Sequence, residues 1–198
     1  MSTNRKEHNK SETKRFIRKV FLELYSKKGI DGVTVNEICC NAGIVKSTFY
    51  VYFEDKYSVL EEIEQTLLSG LDEINSHLSD IDVNLILEGK PLLQASKTVD
   101  FIHEHLDEFR AIMGPKGDPR FEKIWCKNIA DSFEERFLKE KGDLKSAGLA
   151  CAIFASTLMG IYRYFIFENP DISKHDFTII LGNTFKYALM DFRASTNK

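Results

Sequence analysis

Chain breakers are scarce: the sequence has four prolines and eleven glycines in 198 residues. That scarcity disfavours a turn-rich β fold and favours helix. No stretch approaches 18 consecutive apolar residues, so no membrane span is expected. The opening MSTNRKEHNKSETKR has no apolar run behind its charges, so no signal peptide is expected either. The four cysteines, Cys39, Cys40, Cys126 and Cys151, form no CxxC. Adjacent Cys39 and Cys40 make a poor metal or disulfide pair, so reduced thiols in a cytoplasmic protein are expected. His103 and His105 stand two apart, whereas a zinc-binding helix places its histidines four apart. No metal or cofactor is implied. A phosphate loop and a nucleophile–base set are both missing, so the chain is not expected to be an enzyme.

Hydrophobic residues make up 43% and charged residues 29%, enough apolar material to bury a real core. The net charge of −3 is unevenly spread. Residues 1–56 hold 11 Lys or Arg and 7 Asp or Glu, a balance of +4, while residues 57–198 hold 16 and 23, a balance of −7. A basic head on an acidic body suits a protein that touches nucleic acid at one end.

Along the chain every periodic stretch has helical spacing, and an all-α fold is expected. Residues 1–10 lack an apolar anchor and read as a mobile arm. Its Arg5, Lys6 and Lys10 either reach DNA or stay solvated. Ser11–Lys28 reads as a helix with Ile17, Val20, Phe21 and Leu24 on one side, stopped at Gly29. Thr34-Val35-Asn36-Glu37 is a capping box opening a second helix, and Gly43 closes it. A short helix follows at 45–53. Phe49 and Phe53, four apart, share one face; Val51 lies opposite, with Ser47 and Thr48 beside it. Asp55 can cap a helix to about Leu78. The 79–91 stretch reads as a connection. Further helices are expected at 92–113, 120–141, 144–167 and 173–192, with a break at MGPKGDP, 113–119.

The stretch from Thr34 to Leu60 resembles the TetR family of bacterial transcriptional regulators. The residues that carry the resemblance are Thr34-Val35, Glu37-Ile38, Ala42-Gly43-Ile44, Lys46, Thr48, Tyr50, Tyr52-Phe53, Lys56 and Leu60, in the family's order and spacing. A looser likeness to the C-terminal domain of Firmicutes regulators of this type runs through FIHEHLDEFRAIMGPKGDPRF and MGIYRYFIFENPDIS. The resemblance implies a helix-turn-helix DNA-binding domain at 11–71 and a helical regulatory and dimerisation domain at 72–198. It implies a repressor that binds a palindromic operator as a homodimer, with release by a small apolar effector. The alternative is a co-regulator of the same fold that acts through a protein partner.

The expected DNA-contacting residues are Thr34, Lys46, Ser47, Thr48, Tyr50, Val51, Tyr52 and Lys56. Thr34 has two roles open to it: capping its helix, and meeting a phosphate at the helix N-terminus. Lys46 and Lys56 suit phosphates. Tyr50 and Tyr52 can pack their rings and turn their hydroxyls outward. Val51 can touch a thymine methyl. Two departures from the family pattern stand out. Val45 occupies the position of a Ser or Thr that would cap the recognition helix, and Ser47 that of a Gly. The outward face also lacks Arg, Asn and Gln, the side chains that read bases bidentately. Specificity would then lean on methyl contacts and DNA shape. Cys39 falls where the two motif helices cross, a place for a small hydrophobe.

For an effector pocket the candidates are Phe101, His105, Phe109, Met113, Trp125, Phe133, Phe154 and Tyr162. For each, ordinary core is the favoured reading. The helix at 144–167 is apolar nearly all round, and Phe177, Ile180, Leu181, Phe185 and Leu189 form a stripe on the last one. Such surfaces are too apolar for a monomer, so homodimerisation through 144–167 and 174–192 is expected.

Overall fold

A computed structural model of the chain describes residues 2–76, 93–141, 147–183 and 186, with side chains described for 10–76, 96–135, 148–149, 151–183 and 186. The helices run in the order α1 Ser2–Gly32, α2 Val35–Ala42, α3 Lys46–Tyr50, α4 Lys56–Ser76, α5 Leu93–Glu104, α6 Leu106–Met113, α7 Pro119–Lys141 and α8 Ala147–Phe167. A last helical stretch, α9, covers 174–183. Among the described residues there is no strand. The expected 79–91 connection, and Phe185, Leu189 and Phe192 of the last helix, lie outside the described residues, as do the side chains of Arg5 and Lys6.

Two compact units emerge. The first joins Met1–Leu67 to Asp107–Phe121, and the second joins Leu68–Leu106 to Glu122–Lys198. In the first, α1 buries Ile17, Phe21 and Tyr25 at helical spacing, and α4 buries Val59, Ile63 and Leu67. Full burial of each such side chain contributes roughly 1.5–3 kcal/mol. The second unit is built on aromatic contacts. Trp125 of α7 stacks on Tyr162 of α8 with ring centres 5.1 Å apart, and Tyr162 stacks on Phe177 of α9 at 6.1 Å.

Helix α1 runs past the expected stop at Gly29 to Gly32, and α3 covers 46–50 of the expected 45–53; two further boundaries differ more. Helix α1 begins at Ser2, so residues 2–10 are helical instead of forming a loose arm, and Ser11 does not cap it. No Pro or Gly interrupts Ser2–Lys28, and Arg5, Lys6, Glu7, Lys10 and Glu12 are good helix formers. Once the amphipathic part nucleates, each upstream residue adds a hydrogen bond at little cost. The expected single helix at 92–113 is two helices that part at His105. There the His105 N–H is shared between the carbonyls of Phe101 (3.1 Å) and Ile102 (3.3 Å), which ends α5. Asp107 and Glu108 then fill the first turn of α6, where the helix dipole favours negative charge.

Other boundaries follow local chemistry. Gly29 takes φ 71°, a left-handed value that kinks α1 before its last turn. Asp55 caps α4 by accepting from the Ser58 N–H at 2.8 Å. Asp118 caps α7 by accepting from the Arg120 N–H at 2.8 Å, with Pro119 as the first helical residue. Ser173 caps α9 by accepting from the Asp176 N–H at 3.1 Å.

Candidate nucleic-acid interface

Helix α2 is fixed at both ends by its own sequence. The Glu37 N–H donates to Thr34 Oγ1 at 3.2 Å, and the Thr34 N–H donates back to Glu37 Oε2 at 3.0 Å. The Thr34 hydroxyl also donates to Glu37 Oε2 at 2.9 Å, and Lys28 Nζ bonds Glu37 Oε1. The Lys28 ammonium first, then Thr34, hold the Glu37 carboxyl below the usual carboxylate range. At the other end Gly43 takes φ 63°. The Gly43 N–H reaches Cys40 O at 3.3 Å and the Ile44 N–H reaches Cys39 O at 3.0 Å, satisfying the last carbonyls. A Cβ at Gly43 would meet nothing within 4 Å, so the demand for glycine comes from the backbone alone. Cys39 is buried, and burial raises its thiol pKa against the opposing charge of Lys46.

The turn delivers α3, which has one buried side and one open side. Phe49 is fully buried and Phe53 nearly so, their ring centres 5.8 Å apart. The Tyr50 ring meets Phe49 edge-on at 5.5 Å while 55% of the residue stays exposed. Lys46, Ser47 and Val51 are exposed, with Val51 at 67%; Thr48 and Tyr52 are half-buried. Val45 stands at the N-cap and makes no side-chain cap bond. The outward side of α3 therefore offers one cation, two hydroxylated small side chains, a phenol and a methyl pair, with no carboxylate. That surface can lie against a phosphate-lined groove without repulsion.

The lysines around α3 differ in their commitments. Lys14 and Arg18 of α1 are both paired with Glu62 of α4, and the Lys14 ammonium also lies 5.5 Å from the Phe53 ring centre. Lys56 Nζ donates to Val33 O at 2.9 Å and reaches Asp31 O at 3.5 Å, so it tethers the start of α4 to the end of α1 and the link behind it. An ammonium has three hydrogens, which leaves one for another acceptor. The same ammonium sits 5.2 Å from the ring centre of Tyr57, a residue 53% exposed. Sequence reasoning passed over Tyr57 and read Lys28 only as a cation near the end of the first helix. A capping-box glutamate signals that a cation would be welcome nearby, but nothing local points to Lys28.

The eight effector-pocket candidates divide between the units. Phe109 and Met113 are buried in the first. The other six belong to the second. Trp125 stacks on Tyr162, Phe133 meets Phe154 edge-on with centres 4.3 Å apart, and Phe101 meets His105 at 4.6 Å. Burial pushes the Tyr162 phenol up to about 12, so it stays neutral. A separate open groove of about 490 Å³ is lined by Val99, Asp100, His103, Glu104, Pro170, Asp171, Ile172 and Lys174. Its Lys174 is paired with Asp100. Among the described residues no three His, Cys, Asp or Glu side chains are grouped to hold a metal, and no helix is long and apolar enough to cross a membrane.

Comparison with known proteins gives this geometry a lineage. Residues 17–63 match the family described as "Bacterial regulatory proteins, tetR family". The chain is 27% identical over 111 residues to the uncharacterized HTH-type transcriptional regulator YxbF of Bacillus subtilis, covering 54% of this chain and 28% of that protein. It is 36% identical over 58 residues to the uncharacterized HTH-type transcriptional regulator YvdT of the same organism, covering 29% of this chain and 30% of that one. The chain thus spans under a third of the length of either curated relative. The fold is also that of a TetR transcriptional regulator of Streptococcus agalactiae, with a TM-score of 0.60 at 17% identity over 91% of this chain and 97% of that one. Residues 17–63 thus carry the pattern of the tetR family of bacterial regulatory proteins, and both curated relatives bear the name of HTH-type transcriptional regulators.

Proposed function

We propose that the chain is a cytoplasmic transcriptional repressor that binds a palindromic operator as a homodimer and is released by a small apolar effector. The observation that carries this reading is the α2–Gly43–α3 arrangement. Phe49 and Phe53 anchor one side of α3, and Lys46, Ser47, Thr48, Tyr50 and Val51 face away from that anchor without a carboxylate among them. Lys46 meets a phosphate, as does the one spare hydrogen of Lys56. Thr34, Tyr50 and Tyr52 offer hydroxyls to the sugar–phosphate backbone, and Val51 offers methyls to thymine. Two such helices in one dimer read half-sites about one DNA turn, ~34–36 Å, apart. Dimerisation uses 144–167 and 174–192. In support, Leu149, Ile153 and Tyr164 of α8 and Ile180 of α9 are each more than half exposed in the single chain. The effector occupies a space among the aromatic side chains of the C-terminal half and favours one of two arrangements of the dimer.

Fluorescence anisotropy with DNA from upstream of the chain's own gene tests the reading. Salt-dependent binding that saturates at one dimer per palindrome is expected. No binding even at low salt overturns it. A second reading, a co-regulator that reaches DNA through a protein partner, is favoured by the uncapped start of α3 and by the lack of Arg, Asn and Gln on its open side. A shift seen only after a partner protein is added would select it.

A further inference from the structure

Glu64 of α4 is half-buried, and its Oε1 is fully buried with no hydrogen-bond partner. The groups near enough to act on its charge come from three further elements and from α4 itself: Tyr25 of α1, Asp118 of the 114–118 turn, Arg120 at the start of α7, and Glu61 one turn back. The single cation in this set is already committed. Arg120 Nε donates to Asp118 Oδ1 and Oδ2 at 3.0 and 2.9 Å, and Nη2 donates to Oδ2 at 2.5 Å. Tyr25, 1% exposed, has its phenol pushed up to about 12 by burial and by Glu64, so it brings no charge at neutral pH. The turn rests against the end of α1, where Lys116 O lies 3.5 Å from the Cβ position of Gly29. All of these groups belong to the first compact unit.

We propose that Glu64 is a proton-operated latch for the 114–118 turn, which stays seated on α1 and α4 while the carboxyl carries a proton and loosens when it does not. Loss of the proton to water leaves a second buried negative charge beside Asp118, with no donor to stabilise it. Burial first, then the Asp118 charge, push Glu64 up to about 7, so the latch operates near neutral pH. The folded chain keeps this proton to higher pH than the unfolded chain does. The stabilisation is therefore complete below the ordinary glutamate range and is lost as pH rises through about 7. A consequence follows for DNA binding, which rests on the function proposed above: the turn shares one unit with α2 and α3, so loosening it weakens their hold on DNA as pH rises.

Two measurements on the full-length protein test the latch directly. Carbon-13 NMR should show the Glu64 carboxyl titrating near 7; a midpoint in the ordinary range near 4.3 overturns the proposal. Hydrogen exchange, corrected for its intrinsic pH dependence, should show amides 114–118 losing about tenfold in protection between pH 6 and pH 8. Glu64→Gln should abolish that loss, and its persistence in the variant overturns the latch. If Glu64→Gln fails to fold, Asp118→Asn serves: removing the neighbouring charge must lower the Glu64 midpoint, and an unchanged midpoint overturns the proposal. Exchange and titration judge the latch whether or not DNA is bound. Absence of DNA binding at both pH values overturns only the function on which the consequence rests.

Discussion

At the scale of single residues, the surface proposed to face DNA is chemically mild, so charge carries much of the proposed affinity. Lys46 is exposed on α3 and has no ion pair among the described residues. Lys46→Ala should weaken binding to every DNA sequence and lower the salt-dependence slope by about one. A slope that does not change would remove Lys46 from the phosphate. Val45 supplies no cap to α3, a helix of only five residues. Val45→Ser should add about 1 kcal/mol of stability and tighten DNA binding by ordering the helix in advance. If neither thermal stability nor affinity rises, the missing cap is not what limits this helix. These residues were legible in the sequence because their physics is local. Thr34 and Glu37 are three apart, Phe49 and Phe53 four apart, and Gly43 closes a helix of eight residues. The Lys28–Glu37 and Lys56–Val33 contacts join residues 9 and 23 apart in sequence, and no local pattern encodes them.

Elements show the same division between local and distant causes. The break between α5 and α6 at His105 was hidden because apolar spacing runs on through both helices. The helical start of α1 was hidden because polar residues without an apolar stripe give no periodic signal. The MGPKGDP segment, in contrast, announced itself through its prolines and glycines, although not that it packs within the N-terminal unit. Gly117 is the tightest point of that turn. Its N–H donates to Gly114 O at 2.9 Å, and a Cβ there would stand 1.8 Å from Ile112 O. Overpacking of this kind costs about 1–3 kcal/mol, while Ala in place of Gly returns only ~0.4–1 kcal/mol through the unfolded chain. Gly117→Ala should therefore lower the urea midpoint; an unchanged midpoint would mean that the turn shifts freely.

At the scale of the whole molecule, α8 carries an apolar face that the single chain leaves uncovered. Leu149, Ile153 and Tyr164 are 69%, 59% and 55% exposed in the single chain. They fall at helical intervals of four and eleven, with exposed Ser156 and Gly160 between them. A Cβ at Gly160 would meet nothing within 4 Å, so the chain's own packing does not require glycine there. A second α8 approaching closely would explain both the small residues and the exposed apolar ones, since an isologous contact uses one face twice. Two-fold symmetry would also double the effect of any change on that face. Ile153→Glu would place two carboxylates near each other across the axis and remove two apolar contacts. The expected result in sedimentation is a fall from about twice 22.8 kDa to a single 22.8 kDa chain, with the helical circular dichroism unchanged. Operator affinity should fall with it, because each half-site would then be held by one unit alone. If Ile153→Glu remains a dimer with full affinity, this face is not the interface.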